Sequence, residues 1–450
     1  MVTNSDVLVI GAGLSGPVIA LLLAQQGFCV QLFDRRSDIR TYPDPQNMSV
    51  NMTLAYRGIR ALAQVGVLPS IMAKAIPLTG RMIHRSNGTR IYQPYGKNSK
   101  EVIYSVQRHD MNTTLLNAVE SQRNVRLHFE KKCLQINKDS LTALFMNTDG
   151  SQDLFTAQNF IVGADGVYST VRREIHRNVP NNFKQEILEW GYRELHISNT
   201  CPSARLEANM FHMWPRGNHM LMAVPNINGS FTCTCVLPLQ GVQGFTVLND
   251  PQTVSNFFLR NFGDVAHSID NLEEAFLRAP TGNFITTYVS PWHYKDRLVL
   301  VGDACHSFVP FYGQGMNSSL EDCQILNSLV RSNRGDLLRA FQQYEKTRKP
   351  DIDIMADVSK EHFAEICARV HSYWFILMKR LDIFMNKVLP KFWIPLYSLI
   401  MYTDTPYASA VRRVKRQRIT LVFLLAASVI STLVLMIARL FTRDEDGNTD

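Results

Sequence analysis

The sequence predicts an α/β protein with a parallel-sheet domain, a separate antiparallel β-sheet domain, C-terminal helices and a last helix that crosses a membrane. Three observations predict it. A strand, a glycine turn, a helix and a second strand open the chain. Short β-rich runs broken by Pro, Gly and Asn fill roughly residues 187–237. Beyond residue 323 the pattern is helical, and it closes with twenty uncharged residues at 419–438.

Residues 6–10 (DVLVI) read as a buried strand that enters Gly11-Ala-Gly13-Leu-Ser15-Gly16 and then a helix over 17–26. Pro17 is tolerated in a first helical turn. A second strand, 28–33, is closed by Asp34, eighteen residues after the last glycine. This βαβ opening makes the first domain Rossmann-like. Its glycines let backbone and helix N-terminus approach a pyrophosphate, and Asp34 is placed to bind ribose hydroxyls. An acidic residue there disfavours a 2′-phosphate, so FAD or NAD fits better than NADP. Helical patterns follow at 56–67 and 110–119. Strands at 125–129, 141–146 and 159–162 return the chain to the first sheet.

From 187 to 237 the runs at 220–224 and 231–236 predict a separate antiparallel sheet. Helices are expected at 254–262 and 271–277. Residues 297–301 read as a buried strand feeding a glycine-rich turn and a further helix, with Ser318-x-x-Glu321 as a capping box. Leu320, Cys323, Leu326, Leu329 and Val330 carry the helical period.

At 450 residues the chain holds two domains and a large core, and its 46% hydrophobic and 19% charged residues exclude general disorder. Its net charge of +8 is uneven. Arg412, Arg413, Lys415, Arg416 and Arg418 stand just before 419–438. Twenty helical residues span about 30 Å, enough for a bilayer. The positive-inside rule then places the body on the cytosolic side, and the charge needs no nucleic acid to explain it. The eight cysteines show no metal-ligand spacing, and no metal is expected. Residues 1–5 lack a basic n-region, so a signal peptide is not expected, the thiols read as reduced, and the sequon at Asn317 carries no glycan.

Two further motifs carry chemistry. Gly163-Ala-Asp165-Gly-Val-Tyr-Ser-Thr170-Val-Arg172 follows a strand and turns before a basic helix. Gly302-Asp303 follows the 297–301 strand and leads to Gly313-Gln-Gly315-Met316-Asn317. An Asp at a strand's C-terminal end accepts from sugar-like hydroxyls. A helix N-terminus offers amides to an electron-rich ring edge. Together they suit a flavin.

These three motifs, in this order, resemble the single-component FAD-dependent aromatic monooxygenases, the para-hydroxybenzoate hydroxylase group. The likeness covers nearly the whole chain and is closer to the kynurenine-hydroxylating branch. Supporting residues are Gly80-Arg-Met-Ile-His84, Pro94-Tyr-Gly96, Met213-Trp-Pro-Arg216, Pro225-Asn226, Ser230-Phe-Thr-Cys-Thr234, Glu321-Asp-Cys323, Ser372-Tyr-Trp-Phe375 and Ile394-Pro-Leu-Tyr397. The resemblance implies an FAD-binding domain over 1–80, 97–185 and 290–345. It implies a β-sheet substrate domain over 81–96 and 186–289, a helical region over 346–411 and an anchor at 419–438.

For the cofactor the resemblance implies contacts from Gly11, Gly13, Ser15, Gly16, Asp34, Arg36, Thr53, Arg108, Cys133, Asp165, Thr170, Gly302, Asp303, Gly315, Met316 and Asn317. The residues alone support the glycines, Asp34, Asp303 and the Met316/Asn317 turn; they leave Arg108 as an ordinary helix-start residue. For the substrate it implies Arg81 and Tyr95 on an amino-acid carboxylate, an Arg fork beside a phenol. His362, Glu365 and Tyr397 complete the pocket, and Met222, Val224, Pro310 and Phe311 wall the ring. His362 stands where the family usually has Asn, and Tyr312 where it more often has Phe.

The implied reaction takes L-kynurenine to 3-hydroxy-L-kynurenine in tryptophan degradation and NAD biosynthesis. NADPH reduces FAD, O2 forms a flavin C4a-hydroperoxide, and its terminal oxygen goes to the ring. No side chain is expected to act as nucleophile or acid–base dyad. The implied location is the mitochondrial outer membrane, with the ER as the alternative. Two other readings stand beside this one: a related hydroxylase of a quinone precursor or other lipid, and a flavin-binding scaffold without turnover. Oligomeric state is not legible.

Overall fold

The computed structural model describes residues 4–41, 50–96, 101–199, 206–333, 335–365, 381–382, 384–390 and 392–445. The 372–375 motif lies outside them. The chain forms two compact units, residues 1–372 and 373–450.

In the larger unit, parallel pairing joins β1 (Asn4–Ile10), β2 (Val30–Phe33), β8 (Val125–His128), β11 (Gln152–Gly163) and β18 (Leu298–Leu300). Their order is β18-β11-β1-β2-β8. The short β17 (His293–Tyr294) extends one edge, and the β9 (Lys132–Asn137)–β10 (Thr142–Met146) hairpin pairs with β11. Val7–Val9, Leu32, Phe33, Phe160–Val162 and Leu298–Leu300 are buried, as expected for parallel strands covered on both faces. The register pairs Ile10 with Phe33 and Gly163, Phe33 with His128, and Gly163 with Leu300. All five strands therefore end on one edge, where Gly11, Asp34, Asp165 and Asp303 follow.

The second sheet runs β16 (Gly282–Ser290), β12 (Asn182–Ile197), β15 (Phe231–Pro238), β14 (Met220–Pro225), β13 (Met210–Pro215), β5 (Gly80–His84) and β6 (Arg90–Pro94). It is not purely antiparallel as expected: β13 and β5 pair in parallel. They come from segments some 130 residues apart, so no hairpin constrains their direction. One face packs Leu195, Trp214, Leu221 and Cys233 on α6 (Pro251–Ala266) and α7 (Leu272–Arg278). The other gathers Met213, Met220, Val236, Phe284, Phe311 and Phe363, with Met222 partly buried against them. A small third sheet, β3 (Asn51–Leu54), β7 (Ile103–Gln107) and β4 (Ile76–Leu78), completes the unit.

The helices that position the site are α1 (Ser15–Gln25), α2 (Tyr56–Gln64), α4 (Arg108–Glu120), α5 (Thr170–His176), α8 (Gly315–Ser332) and α9 (Leu337–Ala364); α3 (Leu68–Met72) is a short connector. The capping-box expectation fails. α8 starts at Gly315, so Ser318 lies inside it and donates to the Gly315 carbonyl (2.9 Å), while Glu321 pairs with Arg57. In the C-terminal unit, helix Tyr407–Glu445 contains a stretch long and apolar enough to cross a membrane, with mean hydropathy 2.5 and none of that window buried.

Candidate active site

The common strand edge is built from three turns. Gly11 has φ +104°, and a Cβ there would lie 2.3 Å from the Ala164 carbonyl oxygen, so only glycine lets the first two motifs meet. Around Gly13 and Gly315, by contrast, a Cβ would meet nothing within 4 Å, which leaves open space at both helix N-termini. The N-termini of α1 and α8 carry no side-chain cap, as is also true of α2, α3, α4 and α7, while Ser169, Asp250 and Asp336 cap α5, α6 and α9. In α8 the Ser318 amide bonds to the Gln314 carbonyl, so the amides of Gly315, Met316 and Asn317 precede the intrahelical ladder. Two uncapped helix starts beside open space fit a pyrophosphate at α1 and a flavin ring edge at α8.

Asp34 accepts from the Ala12 amide (2.9 Å) and from Arg36 Nε and Nη2, both at 3.0 Å. Burial alone would raise its carboxyl, but Arg36 holds it below the usual carboxylate range. Asp303 keeps accessible surface although it sits deep in the fold, so it lines an interior cleft. Burial pushes its carboxyl up, against the opposing charges of His306 and Arg108. Arg108 starts α4, and its charge also reaches Tyr192.

The remaining implied cofactor residues divide. Thr53 Oγ1 donates to the Gly313 carbonyl (3.3 Å). The Asn317 side chain accepts from the Ala55 amide and donates to the Thr53 and Gly313 carbonyls, each at 2.8 Å, so the side chain ties the turn together. Asp165 accepts from the amides of Thr170 (2.6 Å) and Val171 (3.2 Å), which makes it the anchor of α5. Cys133 lies on β9 with its thiol pushed up to about 12 by burial, hence neutral.

Beneath the Gly302–Asp303 turn lies a buried ionic network absent from the expected site. Asp322 accepts from Arg348 Nε (2.8 Å), His306 Nε2 (2.5 Å) and the Gly302 amide (3.3 Å). Arg348 also pairs with Glu321 (2.8 Å), which in turn meets Arg57. Burial would raise Asp322, but His306 and Arg348 bring it below the usual range. Cys305, His306 and Asp322 come close enough to hold a metal ion, but burial keeps the Cys305 thiol neutral and Arg348 already neutralises Asp322. Arg172 donates to the Ala304 (2.9 Å) and Val167 (2.6 Å) carbonyls and so joins the second motif to the third.

On the substrate side, Arg81 Nε donates to the Tyr95 hydroxyl (3.3 Å), with its guanidinium 5.4 Å from the ring centroid. Burial raises the Tyr95 phenol against the Arg81 charge. Tyr312 is also raised by burial, and the charges of both Arg81 and Glu365 act on it. The end of α9 supplies the other wall. Phe363 stacks on Phe311 at 4.2 Å, His362 lies 5.0 Å from the Tyr312 ring, and His362 Nδ1 is 3.6 Å from Glu365 Oε2. Arg81, Tyr95, Tyr312, His362 and Glu365 thus form one corner, beside the apolar Phe311–Phe363 pair. Tyr312, which the sequence places only as a change in the aromatic wall, stands in this corner with Arg81, Glu365 and His362. Pro310 is exposed on the same turn. Val224 is buried, with its carbonyl 3.4 Å from Asn51 Nδ2. Tyr397 lies in the C-terminal unit, on helix Leu396–Tyr402, with its ring 6.5 Å from Tyr402.

Glu194 was missed. Register aligns Met213, Met222, Thr234 and Glu194 across four strands. Alternation places Glu194 with Tyr192 on the face that carries Phe311 and Met222. Burial pushes its carboxyl up from 4.5 to about 7, against hydrogen bonds from Thr234 at 3.1 and 3.2 Å. A folded value above the unfolded one means stability complete below about pH 4.5 and lost as pH rises through about 7. At 1.36 kcal/mol per unit the loss is on the order of 3 kcal/mol. Glu194→Gln should therefore unfold at higher urea than the parent at pH 8, with the gap closing at pH 4.5. An unchanged pH slope would remove Glu194 as its source.

A family model described as an FAD binding domain matches residues 4–355. The chain is 37% identical over 415 residues to a kynurenine 3-monooxygenase of Salinispora arenicola, covering 91% of each. It is 36% identical over 412 residues to one of Flavobacterium johnsoniae, covering 91% of this chain and 92% of that one. Among solved structures it resembles 2-methyl-3-hydroxypyridine-5-carboxylic acid oxygenase (TM-score 0.66, 17% identity, 83% of this chain and 95% of that one). It also resembles Pseudomonas aeruginosa PqsL in complex with 2-aminobenzoylacetate (TM-score 0.66, 18% identity, 82% and 98%). These two likenesses show the fold.

Proposed function

The chain belongs to the kynurenine 3-monooxygenase family of FAD-dependent monooxygenases, and from that premise we propose that it hydroxylates L-kynurenine at the ring carbon beside the amino group. L-kynurenine, O2, NADPH and a proton give 3-hydroxy-L-kynurenine, NADP+ and water. One oxygen atom enters the ring, the other leaves as water, and NADPH supplies two electrons. Bound FAD supplies the oxygen-activating chemistry.

The protein's part is holding and shielding. The amides at the start of α1, with Asp34 and Arg36, hold the dinucleotide half. Asp303 and Arg108 hold the ribityl region, and the Met316 and Asn317 amides meet the ring edge. Arg81 and Tyr95 take the α-carboxylate, with Tyr312 and Glu365 beside them to receive the α-ammonium group. Met222, Phe311 and Phe363 cover the aromatic ring and keep water from the reacting carbon. The observation that carries the substrate reading is the Arg81–Tyr95 pair, with Tyr312 and Glu365 in the same corner. The test is NADPH oxidation with and without L-kynurenine, with the product identified by mass. Oxidation that L-kynurenine does not accelerate, or a product without one added oxygen, overturns the reading.

We further propose that residues 419–438 anchor the protein in a membrane, body to the cytosol, with the mitochondrial outer membrane the one that the family resemblance implies; the preceding basic cluster and the exposed apolar helix support the anchor and its orientation. Removal of 419–450 should give soluble protein that keeps FAD and turnover. Protein that still pellets with membranes would overturn the anchor.

A further inference from the structure

The C-terminal unit holds a groove of 710 Å³ between Met385, Leu389, Phe392 and Trp393 on one side and the start of helix Tyr407–Glu445 on the other. One wall is apolar: Leu389, Phe392 and Trp393. The other is basic: Arg412, Arg413 and Arg416. Arg412 and Arg416 are four residues apart and share a helix face. Arg412 is steadied by Ser409 (Nη2 to Oγ, 3.1 Å). The walls are fixed to each other, since Gln417 Nε2 donates to the Phe392 carbonyl at 2.8 Å. Among the described lining residues there is no carboxylate. The nearby Asp382 accepts from Trp393 Nε1 (3.1 Å) and lies 3.8 Å from Arg418.

The occupant follows from three features together. Three guanidinium groups match a phosphate, which they can grip through paired N–H donors. A small anion would leave the aromatic wall uncovered, and Phe392 is 76% exposed. The groove also runs into the uncharged stretch, because Leu421 lines its end and is already part of 419–438. Basic residues and aromatics at the cytosolic end of an apolar helix are the place where phospholipid headgroups lie. We propose that this groove binds the headgroup of an acidic phospholipid, whose acyl chains follow the apolar face of the helix beyond Leu421. The proposal rests on the anchor reading above.

Trp393 gives a direct readout. The full-length FAD-loaded protein is reconstituted into phosphatidylcholine vesicles that contain either brominated phosphatidic acid or brominated phosphatidylcholine. Brominated acidic lipid should quench the fluorescence component removed by Trp393→Phe, at a lipid fraction many-fold lower than the brominated zwitterionic lipid needs. Charge attraction of this kind is worth about fivefold per arginine. The triple variant R412Q/R413Q/R416Q should lose roughly a hundredfold in that preference, while it still floats with vesicles and oxidises NADPH normally. A water-soluble short-chain phosphatidic acid should bind the parent saturably and inorganic phosphate should not compete at equal concentration. Flotation with equal quenching by both lipids overturns the groove and leaves the anchor standing. Loss of flotation with saturable short-chain lipid binding overturns the anchor and supports the groove. Competition by inorganic phosphate at equal concentration overturns lipid as the occupant.

Discussion

Asp322→Ala is expected to purify largely without FAD and to unfold at markedly lower urea. The carboxylate serves three partners at once: Arg348, His306 and the Gly302 amide. Its loss leaves a buried guanidinium short of an acceptor, a change that costs about 3–5 kcal/mol. It also frees the turn that presents Asp303. Asp322→Asn keeps an acceptor for Gly302 and should retain more FAD than the Ala variant. Because the folded carboxyl lies below its ordinary value, its stabilisation is present above about pH 4 and is lost as pH falls through the folded value. The Ala variant should lack that acid-sensitive component. FAD content and urea midpoint at the parent's level would show that Asp322 does not hold the turn.

Arg81→Ala should keep its FAD and lose substrate. Removal of one partner from a shielded, charge-assisted pair costs about 2–4 kcal/mol, so Kd for L-kynurenine should rise roughly 30- to 1000-fold. The decisive control is the analogue that lacks the α-carboxylate. It should bind parent and variant alike, because the lost interaction is one it never makes. Arg81→Lys should recover only part of the affinity, since an ammonium cannot offer a planar fork. Equal weakening of both ligands would mean that Arg81 shapes the pocket and does not bind the carboxylate.

Much of the cofactor edge was legible because glycine turns and strand-end aspartates carry their geometry locally. Gly11 and Asp34 follow directly from a βαβ pattern. The support beneath them was not legible. Arg57 meets Glu321 across 264 residues, and Asp322 reads in sequence as an ordinary helix-interior position. The pattern Ser318-x-x-Glu321 misled because a cap motif is defined by spacing alone, and the same spacing occurs inside a helix whose start is fixed by other contacts. Glu194 stayed hidden for a related reason. Only the strand register shows that it shares a face with Met222. Arg81 and Tyr95 could be chosen from the family likeness, but Tyr312 gained its place from proximity to Arg81 and Glu365.

The contacts that close the strand edge have a consequence for how the protein is made. Gly11 lies against Ala164, Gly302 against Ser15, and Arg172 against Ala304. A ribosome-bound chain that ends before residue 302 holds the first glycine turn but neither the third motif nor the α8 amides. Cofactor capture should therefore come late in synthesis, after some 320 residues have emerged. The nascent parallel sheet must wait that long for its last parallel strand, β18, with slow non-local pairing and exposed apolar strands in the interval. Flavin supply then acts as a selection on finished chains, since a ligand that binds only the completed edge stabilises only those that reached it.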